Sequence, residues 1–171
     1  KKQTIYKILV SVLIFLSFCF ILLFIFQKTG FFEIVKNEQA LQEYLEKKEP
    51  IHFRKLRVDD LSGETDSEFD TSVEVVYADH GVEKAFTAKG NGPIDAVQRG
   101  LQETLGVRIK VLDYEEHALQ SGSNSQAAAY IHLLDSDEGV VTYGVGVSSN
   151  ITRASVRAIF SAINRLGLGD R

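Results

Sequence analysis

The sequence predicts an α+β domain made of two similar βββα units that share a core, preceded by a single N-terminal transmembrane-type helix. Two observations support this fold class. An order of three strand-like segments followed by one helix-like segment occurs twice between residues 51 and 169, and residues 8–26 form an uncharged apolar run of 19 residues. A body of about 140 residues is the size of one domain, or of two small units around one core.

Charge and composition exclude several classes of function. Hydrophobic residues make up 44% and charged residues 25% of the chain, as in ordinary folded domains. Residues 28–171 carry 16 Lys and Arg against 23 Asp and Glu. Such an acidic body argues against nucleic-acid binding, which depends on phosphate neutralisation. The body is also too short for a barrel enzyme of about 250 residues. The single cysteine excludes an internal disulfide and a cysteine-based zinc site.

The apolar segment comprises residues 8–26, within an N-terminal part that spans residues 1–30. As a helix it would be about 28 Å long, which matches the thickness of the hydrocarbon core of a bilayer. Its five phenylalanines would point to every side, so no face is suited to water. We expect it to contact a membrane. A buried core helix is the alternative, and a cleaved signal peptide fits less well because its apolar part is about 7–15 residues long.

The lysines around this segment bear on its orientation. Three lysines precede the span and two follow it closely, which favours a cytoplasmic N-terminus and a body outside, by a narrow margin. The orientation therefore stays open. Our expectation is a membrane-tethered protein with a cytoplasmic body if the apolar segment is native to this domain, and a cytoplasmic protein otherwise.

Residues 31–50 are predicted to connect the apolar segment to the body. A short helix is expected over residues 36–48, because Ala40, Leu41, Tyr44 and Leu45 form a narrow apolar stripe. Pro50 ends this helix, since the residue before a proline avoids the helical conformation.

The first unit of the body covers about residues 51–106. Its three predicted strands, rich in β-branched and aromatic residues, are 51–59, 72–79 and 82–88. A helix is expected from Pro93, with Asn91 as its N-cap. One apolar face recurs at helical spacing, and Gly106 ends the helix.

The second unit covers about residues 107–169 and repeats this order. Its predicted strands are 107–114, 127–134 and 139–147. A helix begins at Ile151 behind the capping residue Asn150, and glycines 167 and 169 end it. Its predicted apolar face consists of Ile151, Ala154, Ser155, Ala158, Ile159, Ala162, Ile163 and Leu166. Asn91 and Asn150, which are 59 residues apart, are taken as matching points of the repeat.

Two local features could carry chemistry. Residues 90–95 open a helix with small residues, so they could seat an anion at the unpaired N–H groups, or simply cap the helix. Asp113, Glu115, Glu116 and His117 could form an acid–base cluster, or the solvated end of a strand. The four histidines lack metal-ligand spacing, so we expect no metal site.

Several ordered motifs resemble the C-terminal regulatory domain of 2-isopropylmalate synthase. The resemblance extends from about residue 38 to 166. The motifs are 90–96 (GNGPIDA), 111–118 (VLDYEEHA), 126–130 (QAAAY), 143–147 (YGVGV), 150–155 (NITRAS) and 161–165 (SAINR).

The resemblance implies a homodimeric domain that binds leucine and regulates a catalytic barrel of leucine biosynthesis. Carried over by position, the effector site would be lined by Gly92, Ile94, Asp95, Val111, Tyr114, Ala118, Ser125, Ala127 and Ile151. Their apolar members would surround a branched side chain, helix-opening N–H groups would suit the carboxylate, and Asp95 could pair with the ammonium. One methyl position changes affinity by only about 1–3 kcal/mol, so leucine and isoleucine are not distinguished.

Two features depart from the family. The catalytic barrel, which carries the divalent metal and the acetyl-CoA site, has no counterpart in this sequence. An apolar span also occupies the place where the family has linker helices. We therefore expect no catalysis by this chain alone, although the parent family is an acetyl-CoA-dependent acyltransferase. No cofactor is expected in the chain itself. Two alternatives remain, namely a structural dimerisation module without ligand response, and a fragment detached from or misjoined to its synthase.

Overall fold

A computed structural model describes residues 50–63, 68–119 and 125–170. The predicted apolar span 8–26 and the predicted connector helix 36–48 lie outside the described residues. Among the residues that are described, no helix is both long enough and apolar enough to cross a membrane.

Six strands and two α-helices alternate in the order βββαβββα. Their bounds are β1 Ile51–Asp60, β2 Thr71–Asp79, β3 Val82–Gly90, α1 Pro93–Leu105, β4 Ile109–Ala118, β5 Ala127–Asp135, β6 Val140–Ser148 and α2 Ile151–Arg165, with a short 3-10 turn at Leu168–Asp170. The strands form two antiparallel three-stranded sheets in sequence order, β1–β2–β3 (sheet 1) and β4–β5–β6 (sheet 2). The predicted α+β class and the doubled βββα order are confirmed.

The two units correspond residue by residue over most of their length. Ile109 and Ile151 follow Ile51 and Pro93 by 58 residues, and β1 and β4 each contain an irregularity in register at the matching position. The prediction that Asn91 caps α1 is wrong by one residue. Gly92 is the N-cap there and lacks a capping side chain, whereas the Asn150 side chain does accept a hydrogen bond from the Arg153 N–H, at 3.0 Å.

One hydrophobic core contains residues from both units, and α2 lies at its centre. The Phe160 ring lies 5.8 Å from the rings of Phe53 and Tyr77, which belong to sheet 1. The opposite side of α2 packs on sheet 2. Because α2 is covered on two sides, its buried surface also includes Val156, Phe160 and Ser161, beyond the single apolar face expected from the sequence.

Close packing between α2 and sheet 2 depends on two glycines of β6. A Cβ atom at Gly144 would lie 2.6 Å from the Ala162 nitrogen and would overlap the Ala158 carbonyl oxygen. A Cβ at Gly146 would meet the next turn of the helix in the same way, at Ala154 and Ala158. The missing side chains therefore set the distance between helix and sheet.

Amide side chains on each helix hold the first strand of the other unit. On α2, the Asn164 amide accepts from the Ile51 N–H at 3.1 Å and donates to the Ile51 carbonyl at 2.8 Å. On α1, Gln102 and Gln98 accept from backbone N–H groups of β4, at 3.1 and 3.0 Å. These bonds satisfy backbone groups on the edge strands β1 and β4, which have no neighbouring strand on that side in the part of the chain that the structure describes.

The strand β4 is longer than predicted. It reaches Ala118 and so includes Glu115, Glu116 and His117, which lie beyond the predicted strand end at residue 114. Pairing with β5 continues as far as Ala118 and Ala127, and this pairing, rather than local composition, extends the strand. The charged residues of this segment thus acquire the fixed alternation of a strand.

Candidate functional site

The nine residues expected to line an effector site fall at three places in the fold. Gly92, Ile94 and Asp95 lie at the start of α1, and Ile151 is the first residue of α2. The others belong to sheet 2 or its approach: Val111, Tyr114, Ala118, Ser125 and Ala127. Ala118 is exposed and the other eight are half-buried, so none of the nine is fully buried in the core.

Small side chains gather at one end of sheet 2. Ala127 pairs with Ala118 on one side and with Ser148 on the other. In the next row on the same face, Ala129 lies between Glu116 and Gly146. Ala129 belongs to the core, so this face is the one directed towards α2. Apart from Glu116, the residues of both rows are small, so they form a thin side-chain layer at this end.

Tyr114 connects this face to the start of α2. Its hydroxyl lies 3.0 Å from the Ser155 hydroxyl oxygen, and Ser155 donates to the Ile151 carbonyl at 2.9 Å. The same Tyr114 hydroxyl donates to the carboxylate of Glu116. Burial raises the pKa of the Tyr114 phenol, and the bond to Glu116 raises it further, so Tyr114 stays a neutral donor at neutral pH. The structure thus brings Tyr114 and Ile151 together.

Glu116 and Ser155 were not among the residues expected in the site. A signal for both was present in the sequence, since residues two apart on a strand share a face and residues four apart on a helix share a side. Glu116 follows Tyr114 by two positions in β4, and Ser155 follows Ile151 by four in α2.

Asp95 takes part in a local cap at the start of α1. Both of its carboxylate oxygens lie 3.1 Å from the Arg99 side-chain Nε, and one also accepts from the Asn91 N–H at 3.0 Å. Gly90 leaves room for this carboxylate, because a Cβ there would be 2.8 Å from it. A negative group of the chain itself therefore occupies this helix start, which favours the cap over the anion seat considered for residues 90–95.

Val111 of sheet 2 and Ile94 at the start of α1 both pack against the shared core. The Val111 N–H also donates to the Gln98 side chain on α1, and Tyr114 packs against the same core. Ser125 lies beside the first row of sheet 2, where its hydroxyl is 3.3 Å from the Gln126 carbonyl.

Strand alternation separates the acidic residues of β4. Asp113, Glu115 and His117 face one side of sheet 2, whereas Glu116 shares the opposite face with Tyr114. The ring of His117 stacks on Tyr130, with ring centroids 5.3 Å apart. The run is therefore not one acid–base cluster. Across residues 50–63, 68–119 and 125–170, no three His, Cys, Asp or Glu side chains are grouped to hold a metal ion.

The fold and this site define a class: an α+β domain of two βββα units, with small and polar side chains where sheet 2 meets the start of its helix. The chain belongs to the LeuA allosteric (dimerisation) domain family, whose model matches residues 34–167. The recognised resemblance to the regulatory domain of 2-isopropylmalate synthase is thereby confirmed.

Similar proteins are 2-isopropylmalate synthases from several bacteria. The enzyme of Clostridium acetobutylicum is 33% identical over 124 residues, covering 72% of this chain and 22% of that protein. The Mycobacterium ulcerans enzyme is 40% identical over 124 residues, covering 72% and 21%, and the Parafrankia enzyme is 49% identical over 85 residues, covering 50% and 14%. The chain thus spans about a fifth or less of the length of these relatives.

Proposed function

We propose that this chain is a leucine-responsive regulatory and dimerisation domain of 2-isopropylmalate synthase. The effector is leucine or a similar branched-chain amino acid, and the partner that completes the assembly is a second copy of the chain. Membership of an allosteric, dimerisation family supports both parts, as does the name that the related proteins share.

The observation that carries the proposal is the arrangement around Tyr114. An apolar floor of small residues, Ala118 and Ala127, lies beside a polar group made by Tyr114 and Ser155. An α-amino acid with an aliphatic side chain presents the same two chemistries, an apolar end and a charged end. Such convergence of a few polar groups on an apolar surface is typical of small-molecule sites.

The effector would act by shifting the equilibrium between two arrangements of the dimer. A ligand changes the balance between two arrangements only by its difference in affinity for them. The described residues of this chain would bind and signal, and the acyl transfer would take place elsewhere in a synthase. A structural dimer without ligand response is the competing outcome of the test.

Leucine is expected to raise the melting temperature of the chain. The full chain, kept in mild detergent because of residues 8–26, would be melted with and without leucine, with glycine as the matched control. At a leucine concentration a hundredfold above its Kd, the folded state gains about 2.7 kcal/mol, which corresponds to a shift of several degrees. Equal melting temperatures with millimolar leucine and glycine would leave only the structural role.

A further inference from the structure

We infer that Glu116 is the residue that binds the ammonium group of the effector amino acid, and that Asp95 is not. The inference rests on the proposed function, because it concerns the same site. It replaces the pairing expected for Asp95 from the resemblance with one that follows from the geometry of β4.

Glu116 lies on the face of sheet 2 that is directed towards the core. It pairs with Ala129, a fully buried core residue, and stands between Tyr114 and Ala118 on the same face of β4. Its side chain is nevertheless exposed, and the other two residues of its row, Ala129 and Gly146, are small. A carboxylate is thus held at the edge of the expected site, above its apolar floor.

The matching position of the first unit shows that the fold does not require a charge here. Val58 precedes Glu116 by 58 residues and pairs with Val73 as Glu116 pairs with Ala129. Leu56 likewise stands in β1 where Tyr114 stands in β4. Unit 1 therefore has two aliphatic residues where unit 2 has a carboxylate and a phenol, so this polar pair serves something specific to unit 2.

The charge of Glu116 is available to a ligand. Its carboxylate accepts a hydrogen bond from the neutral Tyr114 hydroxyl. Among the described residues, no Lys, Arg or His forms an ion pair with it. A carboxylate with only a neutral donor keeps lone pairs for an ammonium group, and charged hydrogen bonds of that kind are the stronger ones.

Asp95 is already engaged with a charged partner. Its two oxygens accept from the Arg99 side chain, and one of them also accepts from the Asn91 N–H. An ammonium group at Asp95 would compete with an arginine at helical i, i+4 spacing and with the cap of α1.

Calorimetric titration of the full chain tests the inference with two ligands. Leucine carries the ammonium, and 2-hydroxy-4-methylpentanoate has a hydroxyl in its place. In Glu116→Gln the affinity for leucine should fall at least about tenfold, since a hydrogen bond to a charged group contributes about 1.5–3 kcal/mol. Affinity for the hydroxy acid should stay within about twofold, because that ligand has no ammonium to lose.

The matched control is Glu115→Gln, which removes the same charge from the opposite face of the same strand. It should leave both affinities unchanged. Asp95→Asn should lower thermal stability and keep the preference for leucine over the hydroxy acid. Circular dichroism of each variant would verify that it is folded.

The outcomes separate the inference from the proposed function. If the unaltered chain binds no leucine, both are overturned. If it binds leucine and Glu116→Gln binds equally well, only the role of Glu116 is overturned. A selective loss of leucine affinity in Asp95→Asn would return the ammonium to Asp95 and would also overturn the inference.

Discussion

Replacing Gly146 with alanine is expected to destabilise the folded domain by about 3 kcal/mol, the upper part of the usual range for overpacking. The added methyl group would overlap the Ala154 carbonyl oxygen and lie 2.6 Å from the Ala158 nitrogen. Both obstacles are helix backbone, which cannot rotate away as a side chain would. The central helix α2 would have to move off sheet 2, and its contacts with sheet 1 would be disturbed as well.

Urea unfolding of the full chain, followed by circular dichroism, measures this loss. Gly63→Ala is the matched control, because an added Cβ there meets nothing within 4 Å. That control should stay within about 0.5 kcal/mol of the unaltered chain. Equal stability of Gly146→Ala and Gly63→Ala would mean that α2 does not pack on β6 as described.

Replacing Ala127 with leucine is expected to lower the affinity for leucine at least about a hundredfold, or to abolish binding, because the new side chain would occupy the place proposed for the side chain of the ligand. Ala127 is half-buried and lies between Ala118 and Ser148 on the face directed towards α2. Three added carbon atoms would fill the space above these small residues. The domain itself should still fold, since the position is at the end of the sheet rather than inside the core.

The equivalent position in the first unit provides a matched control for this variant. Thr71 is the first residue of β2, as Ala127 is of β5, and it pairs with Asp60 and Gly90 as Ala127 pairs with Ala118 and Ser148. Thr71→Leu should leave the leucine titration unchanged. If Ala127→Leu is folded and binds leucine as the unaltered chain does, the effector does not occupy this end of sheet 2.

The fold could be predicted from the sequence because its local signals agree with each other. Alternating β-branched residues indicate the strands. The start of α2 at its capping residue Asn150 and the end of α1 at Gly106 are also found in the structure. The repeated order of these signals was sufficient to predict two equivalent units. Each of these signals is local, because it depends only on residues that are close together in the sequence.

Errors arose where distant contacts decide the structure. Pairing with β5 extends β4 to Ala118 through a charged run that has little strand propensity of its own. Packing of Phe160 against both sheet 1 rings buries a side of α2 that its sequence periodicity did not predict. The cap of α1, by contrast, was misplaced by one residue for a local reason, since Asp95, three positions into the helix, accepts a hydrogen bond from the Asn91 N–H.

The candidate site was only partly predictable, because it also depends on distant contacts. Family resemblance indicated nine positions, but not which of them the fold connects. The link from Tyr114 through Ser155 to Ile151 depends on how α2 lies on sheet 2, because Tyr114 and Ser155 are 41 residues apart in the chain. The role of Asp95 as a cap likewise became visible only with its hydrogen bonds to Arg99 and Asn91.

Isothermal titration of the full chain with leucine measures effector binding without relying on any variant. We expect saturable heat with one leucine bound per chain, and no heat with glycine, which lacks the branched side chain. Absence of heat at millimolar leucine, from protein whose circular dichroism shows it to be folded, would contradict the proposed function.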